Sequence, residues 1–355
     1  MTVAFLPDNR SGNPYQTNLA ESLSESVVFD TGDRFLPIHK TVRENQNVSI
    51  VHFHWLTPYI LEESLFKTVG RILLTFLQLV SLQIRGVKIV WTVHNVMSHQ
   101  SDHPLLERWF KHVFIRLKIC DFMFIHCEKV SEQIVDEYQL ADAHIRNRTQ
   151  VISHGHYISN YENTISATEA RNSLGLDPEA IVFLFFGQIR PYKGIPNLIR
   201  QFKSFENSSA NLLIVGNPVD ESIKEEITNQ ALNDERIKTN FGFIPGDKIQ
   251  IFMNSADAVV LPYNKITTSG SLILAMSFGR AIIAPRVGCI PELLDERGGL
   301  MYGVEDNEGL GNAMREASKR DLDSMGHYNE RVVREFSWTE IADKTSEIYS
   351  RLLSR

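Results

Sequence analysis

Short apolar segments alternate with longer amphipathic segments in the first part of the chain. Helical spacing of apolar residues predicts helices at Gln16–Ser24, Glu62–Ile84 and Leu105–Ile119. The apolar segments predict strands at Val3–Leu6, Val48–Trp55, Val87–Val93, Phe122–His126 and Thr149–Ser153. This strand–helix–strand alternation is typical of a parallel sheet with helices on both faces.

The same alternation returns after a polar run, Ser159–Ala170. Helices are predicted at Ile195–Phe202 and Gly270–Phe278. Strands are predicted at Ile181–Phe186, Asn211–Val215, Ile237–Phe241, Ala258–Leu261 and Ala281–Ala284. We therefore expect an α/β protein with two doubly wound domains, 1–160 and 161–335. Ligands of such sheets bind outside the carboxyl ends of the strands, so the loops after the strands are the places to look for chemistry.

Composition narrows the class of protein. The 355 residues are 43% hydrophobic and 22% charged, which is ordinary for a globular protein. A formal net charge of −7 argues against a general nucleic-acid binder, which needs a basic face. Three cysteines without a CxxC pair or zinc spacing, and a start that lacks a secretory pattern, predict a cytosolic protein. The most apolar run, Ile72–Leu82, predicts a buried amphipathic helix, with a helix at a membrane surface as the alternative.

Two loops of the second domain suit phosphate groups. The first follows the strand Ile181–Phe186 and contains Gly187, Arg190 and Lys193, whose cations match a diphosphate. A solvated basic loop is the alternative. The second contains Thr268, Ser269, Gly270 and Ser271 directly before an apolar helix, where free N–H groups and the helix dipole attract anions. Simple N-capping of the helix is the alternative there.

Histidines follow two strands of the first domain. His54 ends one strand, and His94 and Asn95 follow the next, with His99 and His103 beyond them. Their spacing matches no metal signature, so we expect no metal. For His94 we expect a contact to phosphate or hydroxyl, or a role in proton transfer; a capping or core histidine is the alternative.

Two further segments contain weaker candidates for ligand-binding residues. Gly12 and Asn13 lie in a turn-forming loop after the first strand. Glu292 lies near a helix start in the segment GCIPELL, where a carboxylate either contacts a substrate hydroxyl or only stabilises the helix. The chain lacks GxSxG, GxxxxGK[ST], HExxH and a GxGxxG after a strand.

Several of these segments, taken in order, resemble a known family. The run FFGQIRPYKG, followed by VVLPYNKITTSGSLILAMSFGRAIIAPRVGCIPELL, is similar to the donor half of GT-B glycosyltransferases of glycosyltransferase family 4. TVHN resembles a strand end of that family's first domain, and FSWTEIADKTSEIYSRLL resembles its C-terminal helices. The resemblance covers essentially the whole chain, and the set is similar to bacterial enzymes of exopolysaccharide and cell-surface glycan assembly. It implies two Rossmann-like domains facing a central cleft, with the last helix, about 336–355, returning to the first domain.

The resemblance also implies roles for the candidate residues. Lys193 and Arg190 would hold the donor diphosphate, although Arg190 is displaced because Gln188 directly follows Gly187. His94 would lie near the transferred sugar and act with these two cations in catalysis. The remaining donor-binding residues would be Gly12, Gly187, Thr268, Ser269, Gly270, Ser271 and Glu292. We expect acceptor binding by Asn13, His54 and Asn95.

One position departs from the family pattern. The family carries two glutamates across this helix, and the second binds the nucleotide ribose. Leu274 stands at that position, and the first position falls near Ile266 or Thr267. Ribose recognition must therefore differ, and the stereochemical outcome is not implied by the resemblance.

The resemblance implies a hexosyltransferase. It would move a hexose from a UDP- or GDP-linked sugar to a glycan or polyprenyl-linked sugar, without metal or other cofactor, at the cytoplasmic face of the inner membrane. A degenerate nucleotide-sugar-binding protein and a nucleotide-sugar epimerase on the same fold are the alternatives.

Overall fold

The computed structural model describes residues 1–30, 32, 36–45, 47–98 and 101–354. The chain divides into two compact units, one formed by 1–153 with 337–355 and the other by 154–336. The first therefore ends at Ser153, ahead of the expected boundary at 160. The polar run after it packs on the second unit: Gln250 accepts from the Thr164 N–H at 2.9 Å, and Asn254 donates to the Ile165 carbonyl at 2.9 Å.

The first unit contains a six-stranded parallel sheet with the strand order β2-β1-β3-β4-β5-β6. Its strands are β1 (Thr2–Leu6), β2 (Ser26–Phe29), β3 (Val48–Phe53), β4 (Lys88–Thr92), β5 (Phe122–Ile125) and β6 (Thr149–Val151). The helices that connect them are α1 (Tyr15–Ser22), α2 (Pro37–Glu44), α3 (Thr57–Ile60), α4 (Leu65–Ile84), α5 (Pro104–Arg116) and α6 (Glu128–Tyr138). A 3₁₀ turn spans Asp142–His144.

The second unit repeats this plan with the strand order β12-β11-β10-β7-β8-β9. Its strands are β7 (Val182–Phe186), β8 (Asn211–Gly216), β9 (Ile237–Phe241), β10 (Ala258–Val260), β11 (Ala281–Pro285) and β12 (Gly299–Tyr302). Its helices are α7 (Ala167–Leu174), α8 (Ile195–Lys203), α9 (Glu221–Ala231), α10 (Gly246–Ser255), α11 (Gly270–Ser277), α12 (Ile290–Leu293), α13 (Gly309–Ala317) and α14 (Leu322–Arg334). A 3₁₀ turn at Pro191–Lys193 precedes α8.

The expected class is therefore confirmed: two Rossmann-like α/β sheets, each with all strands parallel. The sequence pattern missed β2 and β12. Both are edge strands of only four residues, and their side chains are mostly half-buried.

The last helix, α15 (Trp338–Leu353), belongs to the first unit. Its residues Ile341, Ile348 and Leu352 join the core formed by the β1 side chains and by Tyr15 and Leu19 of α1. The hydroxyl of Tyr349 lies 2.5 Å from Nδ1 of His52, a buried β3 residue. The first unit thus takes part of its core from a distant stretch of sequence.

Helix α4 differs from the expected buried amphipathic helix. One face packs on the unit through Ile72, Leu79 and Leu82. The opposite face is also apolar but exposed, including Phe66 at 88% and Ile84 at 82%. Within the described residues, α4 alone has the length and apolar composition required to cross a membrane.

Candidate active site

Three loops of the second unit follow strands that are neighbours in its sheet. They come after β7, β10 and β11, and they contain the predicted donor residues of this unit. Because parallel strands place their carboxyl ends at one edge, these loops lie side by side. The site is therefore assembled from residues up to about one hundred positions apart in sequence.

Glycines allow the loop after β7 to pack closely on its neighbours. Gly194 has φ +70°, and a Cβ there would lie 1.9 Å from the Pro262 carbonyl oxygen. Gly187 has φ +133°, and a Cβ there would lie 3.0 Å from Oγ of Ser271. A larger residue at position 194 would displace the neighbouring loop, whereas at position 187 it would push against the Ser271 hydroxyl. Both glycines also adopt conformations that L side chains disfavour.

Lys193 is held inside this assembly. Its side chain is buried, and its ammonium lies 4.1 Å from the centre of the Tyr263 ring, a cation–π distance. The backbone of the next loop fixes the segment, since the Asn264 N–H donates to the Tyr192 carbonyl at 2.9 Å. The alternative of a solvated basic loop therefore does not describe Lys193.

Arg190 is half-buried, and a neighbouring side chain holds its guanidinium group. Its Nε donates to Oε1 of Gln188 at 3.1 Å. Gln188 stands directly after Gly187, where an arginine was expected. The Gln188 side chain therefore orients Arg190, the arginine that lies two positions further along.

The N-terminus of α11 faces the Gly187 loop. Ser269 caps the helix, because its Oγ accepts the Leu272 N–H at 3.1 Å, and it also lies 3.1 Å from the Tyr263 hydroxyl. The capping alternative thus holds for the Ser269 side chain. Thr268, Gly270 and Ser271 are half-buried around it. The first N–H groups of α11 and its dipole therefore lie beside Gly187, which favours an anion there.

The third loop packs against the second. Gly288 has φ +53°, and a Cβ there would lie 2.3 Å from the Ile266 carbonyl oxygen. The Cys289 N–H donates to the Thr267 carbonyl at 2.9 Å. Glu292 follows in the first turn of α12 with an exposed side chain. Leu274 is buried, so the position of the expected ribose-binding glutamate is part of the apolar core.

A buried histidine cluster lies at the strand ends of the first unit. His126 Nδ1 donates to the Ile152 carbonyl at 3.0 Å, so its neutral ring accepts at Nε2 from His94 Nδ1, 3.2 Å away. His94 then accepts at Nε2 from His54 Nδ1 at 3.5 Å. The remaining lone pair, on Nε2 of His54, has no hydrogen-bond partner among the described residues. The carbonyl thus sets the tautomer of all three rings.

Burial keeps His52, His54 and His126 uncharged near neutral pH. It lowers the pKa of His52 to about 3 and the pKa of His126 to about 4, and it lowers the pKa of His54 well below its usual range. Nearby imidazoles lower the pKa of His52 and His54 further. These three histidines therefore offer neutral donors and acceptors rather than positive charge.

Sequence reasoning missed His52 and His126. His52 bonds to Tyr349 and to Thr92 Oγ1, and its ring stacks on His54 at 4.5 Å. The signal was present, since HFHW, TVHN and FIHC place histidine at or near the ends of three adjacent strands.

The other predicted residues of the first unit are placed as follows. Gly12 lies in an exposed turn, and its N–H donates to the Asn9 carbonyl. The Asn13 side chain accepts the Tyr15 N–H at 2.9 Å, and the Tyr15 ring lies 4.8 Å from that of His94. Asn95 is half-buried after His94, whereas His54 is only 1% exposed.

No group of three or more His, Cys, Asp or Glu side chains suitable for a metal ion occurs among the residues that the structure describes. His103 lies 3.3 Å from the Glu63 carbonyl. His99 lies outside the described residues.

Comparison with known proteins identifies the second unit. Residues 180–320 match the sequence model of the family "Glycosyl transferases group 1". Residues 180–320 form a group 1 glycosyltransferase domain. The matched range contains all three strand-end loops, and the chain is a glycosyltransferase.

Relatives of this glycosyltransferase carry related names. The GDP-mannose:glycolipid 4-beta-D-mannosyltransferase of Xanthomonas campestris pv. campestris is 26% identical over 303 residues, which cover 84% of this chain and 77% of that protein. The alpha-maltose-1-phosphate synthase of Mycolicibacterium smegmatis is 29% identical over 193 residues, half of each chain.

Solved structures share the fold of the glycosyltransferase. Anabaena Alr3699/HepE in complex with UDP has a TM-score of 0.76 at 15% identity and covers 99% of this chain and 100% of its own. Sucrose-phosphate synthase from Thermosynechococcus elongatus has a TM-score of 0.77 at 16% identity, with 99% of each chain covered. The GT-B fold expected from the sequence is thus confirmed.

Proposed function

We propose that this glycosyltransferase transfers a hexose from a UDP- or GDP-linked sugar to a glycan or lipid-linked sugar, without a metal ion. The observation that carries the proposal is the convergence of three strand-end loops around buried Lys193 and the N-terminus of α11. The mannosyltransferase relative is named for GDP-mannose and a glycolipid, and the Anabaena structure holds UDP. These names support the substrate class.

In the proposed reaction, the bond between the sugar C1 and the diphosphate oxygen breaks, and the acceptor oxygen bonds to C1. The nucleoside diphosphate leaves with the bonding electrons, and the acceptor loses its hydroxyl proton. Lys193, Arg190 and the first N–H groups of α11 stabilise the negative charge that develops on the leaving diphosphate. These groups take the place that a divalent cation fills in other sugar transfers.

The first unit supplies His94 in this proposal. Its tautomer is set by His126, and its ring is packed between Tyr15 and Trp55 at 4.8 and 4.7 Å. We assign His94 to the transferred sugar or the acceptor. At 1% exposure, His54 supports the ring of His94 rather than contacting an acceptor. The expected cytoplasmic location stays a prediction.

Lys193→Ala tests the proposal in a thermal-shift panel of UDP, GDP, ADP and their sugars. A nucleotide at about 100 times its dissociation constant stabilises the protein by roughly 2.7 kcal/mol, which raises the melting temperature measurably. Loss of one charge-assisted contact, about 1.5–3 kcal/mol, weakens binding roughly 10- to 150-fold. The matched control is Lys248→Ala, an exposed lysine of the same unit.

Release of nucleoside diphosphate on addition of lipid-linked saccharides, measured with and without EDTA, tests transfer and metal independence. A nucleotide shift without transfer to any acceptor would favour the binding-protein alternative, which the buried Leu274 suggests. Equal shifts for wild type and Lys193→Ala would contradict the assigned diphosphate site.

A further inference from the structure

Helix α4 has its polar and apolar residues distributed in an unusual way. Its buried face contains Thr68, Thr75 and Gln78. All three are hydrogen-bonded within the first unit, for example Thr75 Oγ1 to the Tyr59 carbonyl and Gln78 Oε1 from the His39 N–H. Ile72, Leu79 and Leu82 pack on the same face, and large apolar side chains occupy the solvent face as well. A surface helix of a soluble protein carries polar residues on its solvent face.

The exposed apolar side chains lie along one face of the helix. Phe66, Val69, Leu73, Leu77 and Ile84 are all exposed and follow the three- and four-residue spacing of one helix face. Over 18 residues at 1.5 Å each, this face is about 27 Å long. We call these five residues the apolar ridge. Exposed apolar patches of such extent mark interaction surfaces.

The neighbouring helix extends the ridge. The strand order β3-β4-β5 and right-handed crossovers place α4 and α5 on the same side of the sheet. His103, before α5, contacts the Glu63 carbonyl before α4, and Gln83 of α4 donates to the Lys118 carbonyl after α5. The two helices therefore run side by side, and α5 exposes Leu105 and Trp109 on one face.

Cations lie along the ridge, although the chain as a whole is acidic. Lys67 on α4 and Arg85 directly after it are exposed, whereas Arg71 of α4 is paired with Glu62 at 2.8 Å and exposed Glu63 precedes the helix. Beyond the C-terminal ends of α4 and α5, a cavity of about 220 Å³ is lined by Lys88, Lys118, Arg148 and Arg351, with Asp121 as its acidic member. Anionic groups are complementary to this end of the surface.

We propose that the apolar ridge docks the protein on an anionic lipid bilayer, with the basic cavity facing phospholipid headgroups. Apolar side chains flanked by cations on a helix lying parallel to the surface are the features that bind the bilayer interface. The packed face of α4 remains on the sheet, so the helix lies on the bilayer and does not cross it. A second copy of this chain suits the surface less well, because a two-fold contact would place the same cations against each other.

Vesicle sedimentation tests the docking surface without any transfer reaction. Wild type is expected to sediment with vesicles of phosphatidylcholine and phosphatidylglycerol, and less with phosphatidylcholine alone. The variant Phe66→Ser/Leu73→Gln/Leu77→Gln should bind at least ~10-fold more weakly, since binding scales with the apolar area buried. Its matched control, Leu232→Gln/Phe243→Ser/Val304→Gln, changes exposed apolar residues of the second unit and should bind as wild type does.

Two double variants, each lacking two lysine charges, test whether the basic cavity binds anionic headgroups. Lys88→Gln/Lys118→Gln should lose the preference for phosphatidylglycerol, whereas Lys319→Gln/Lys344→Gln, which removes two charges elsewhere, should keep it. Because every substituted residue is exposed or lines the surface cavity, circular dichroism should show unchanged folding. A blue shift of tryptophan emission on vesicle binding, absent in Trp109→Phe, provides a second measurement.

Failure of wild type to sediment, or equal sedimentation of wild type and the apolar variant, would overturn the proposal. So would a wild-type dimer in light scattering that the apolar variant converts to monomer while neither binds vesicles. Nucleotide binding by the second unit is measured separately, so these outcomes leave the proposed transfer reaction untouched.

Discussion

At the scale of single residues, buried Lys193 and the buried histidine cluster differ in how far the sequence predicted them. Lys193 is buried against tyrosine rings in a loop that the sequence already marked by its two cations. The sequence predicted only part of the histidine cluster, because His94 and His54 were expected to be functional and His52 and His126 were not. Their role depends on which strands are neighbours, and residue types alone do not reveal tautomers or burial.

The histidine cluster predicts a loss of stability on acidification. Unfolded histidine has a pKa of about 6.5, whereas the native pKa values of His52 and His126 are about 3 and about 4. Between these values the unfolded state binds protons that the native state excludes, so stability falls as the pH falls below about 6.5. Each histidine contributes about 1.4 kcal/mol per pH unit within that window.

Tryptophan fluorescence measures this effect in the first unit alone. All four tryptophans, Trp55, Trp91, Trp109 and Trp338, belong to that unit. Urea midpoints at pH 7, 6 and 5 should decrease, and His126→Asn should reduce the slope by one histidine's contribution. His144→Asn, at a partly exposed site, is the control. An unchanged slope in His126→Asn would contradict the assignment of a neutral buried ring.

At the scale of elements, the interior strands and the loops after them were predictable, because an interior parallel strand is a continuous apolar run. Of the four edge strands, β6 and β9 were predicted, whereas β2 and β12, each of four residues, were missed. Helix α4 was predicted as a helix but not with two apolar faces, because periodicity does not distinguish an apolar face that is packed from one that is exposed. The domain boundary was expected within the polar run at 159–170, whereas side chains of α10 bind the backbone of this run.

Substitutions of two glycines with similar φ angles test whether the site loops require close packing. Gly194 and Gly175 have φ +70° and φ +60°, but a Cβ meets the Pro262 carbonyl at the first and open space at the second. Gly175→Ala should cost about 1 kcal/mol of stability from backbone strain alone. Gly194→Ala should cost about 1–3 kcal/mol more, because the neighbouring loop must move.

Circular dichroism melting curves measure both variants, and nucleotide titration separates the site from the fold. We expect Gly194→Ala to weaken nucleotide binding, whereas Gly175→Ala, at the end of α7, should leave it unchanged. Equal effects of the two substitutions would show that close loop packing is not required.

At the scale of the whole molecule, the alternation of strands and helices was sufficient to predict two doubly wound sheets. Family resemblance, and not periodicity, supplied the assignment of the last helix to the first domain. The contact that fixes that helix, between Tyr349 and His52, joins residues 297 positions apart. No local pattern encodes a contact at such a separation.

Truncation tests the contribution of α15. A chain ending at Phe336 lacks five core residues of the first unit, Ile341, Ala342, Ile348, Tyr349 and Leu352. Its remaining tryptophans should emit at longer wavelength and lose a cooperative unfolding transition. Tyr349→Phe should be milder, at about 1–3 kcal/mol for the unpaired His52 nitrogen.

Removal of residues 354–355 alone is the matched control and should leave tryptophan emission unchanged. Native emission from the chain ending at Phe336 would show that α15 is dispensable for the first unit.

The return of the chain to its first unit also sets an order of events on the ribosome. The second unit is complete once Phe336 has been made, whereas the first unit still lacks α15. At roughly 5–20 residues per second, the intervening segment 154–336 takes on the order of 10–40 s to synthesise. During that interval the nascent sheet exposes the apolar surface that Ile348, Tyr349 and Leu352 will cover. Synthesis therefore completes the second unit before the first, and residues 337–355 supply the segment that finishes the fold of the first unit.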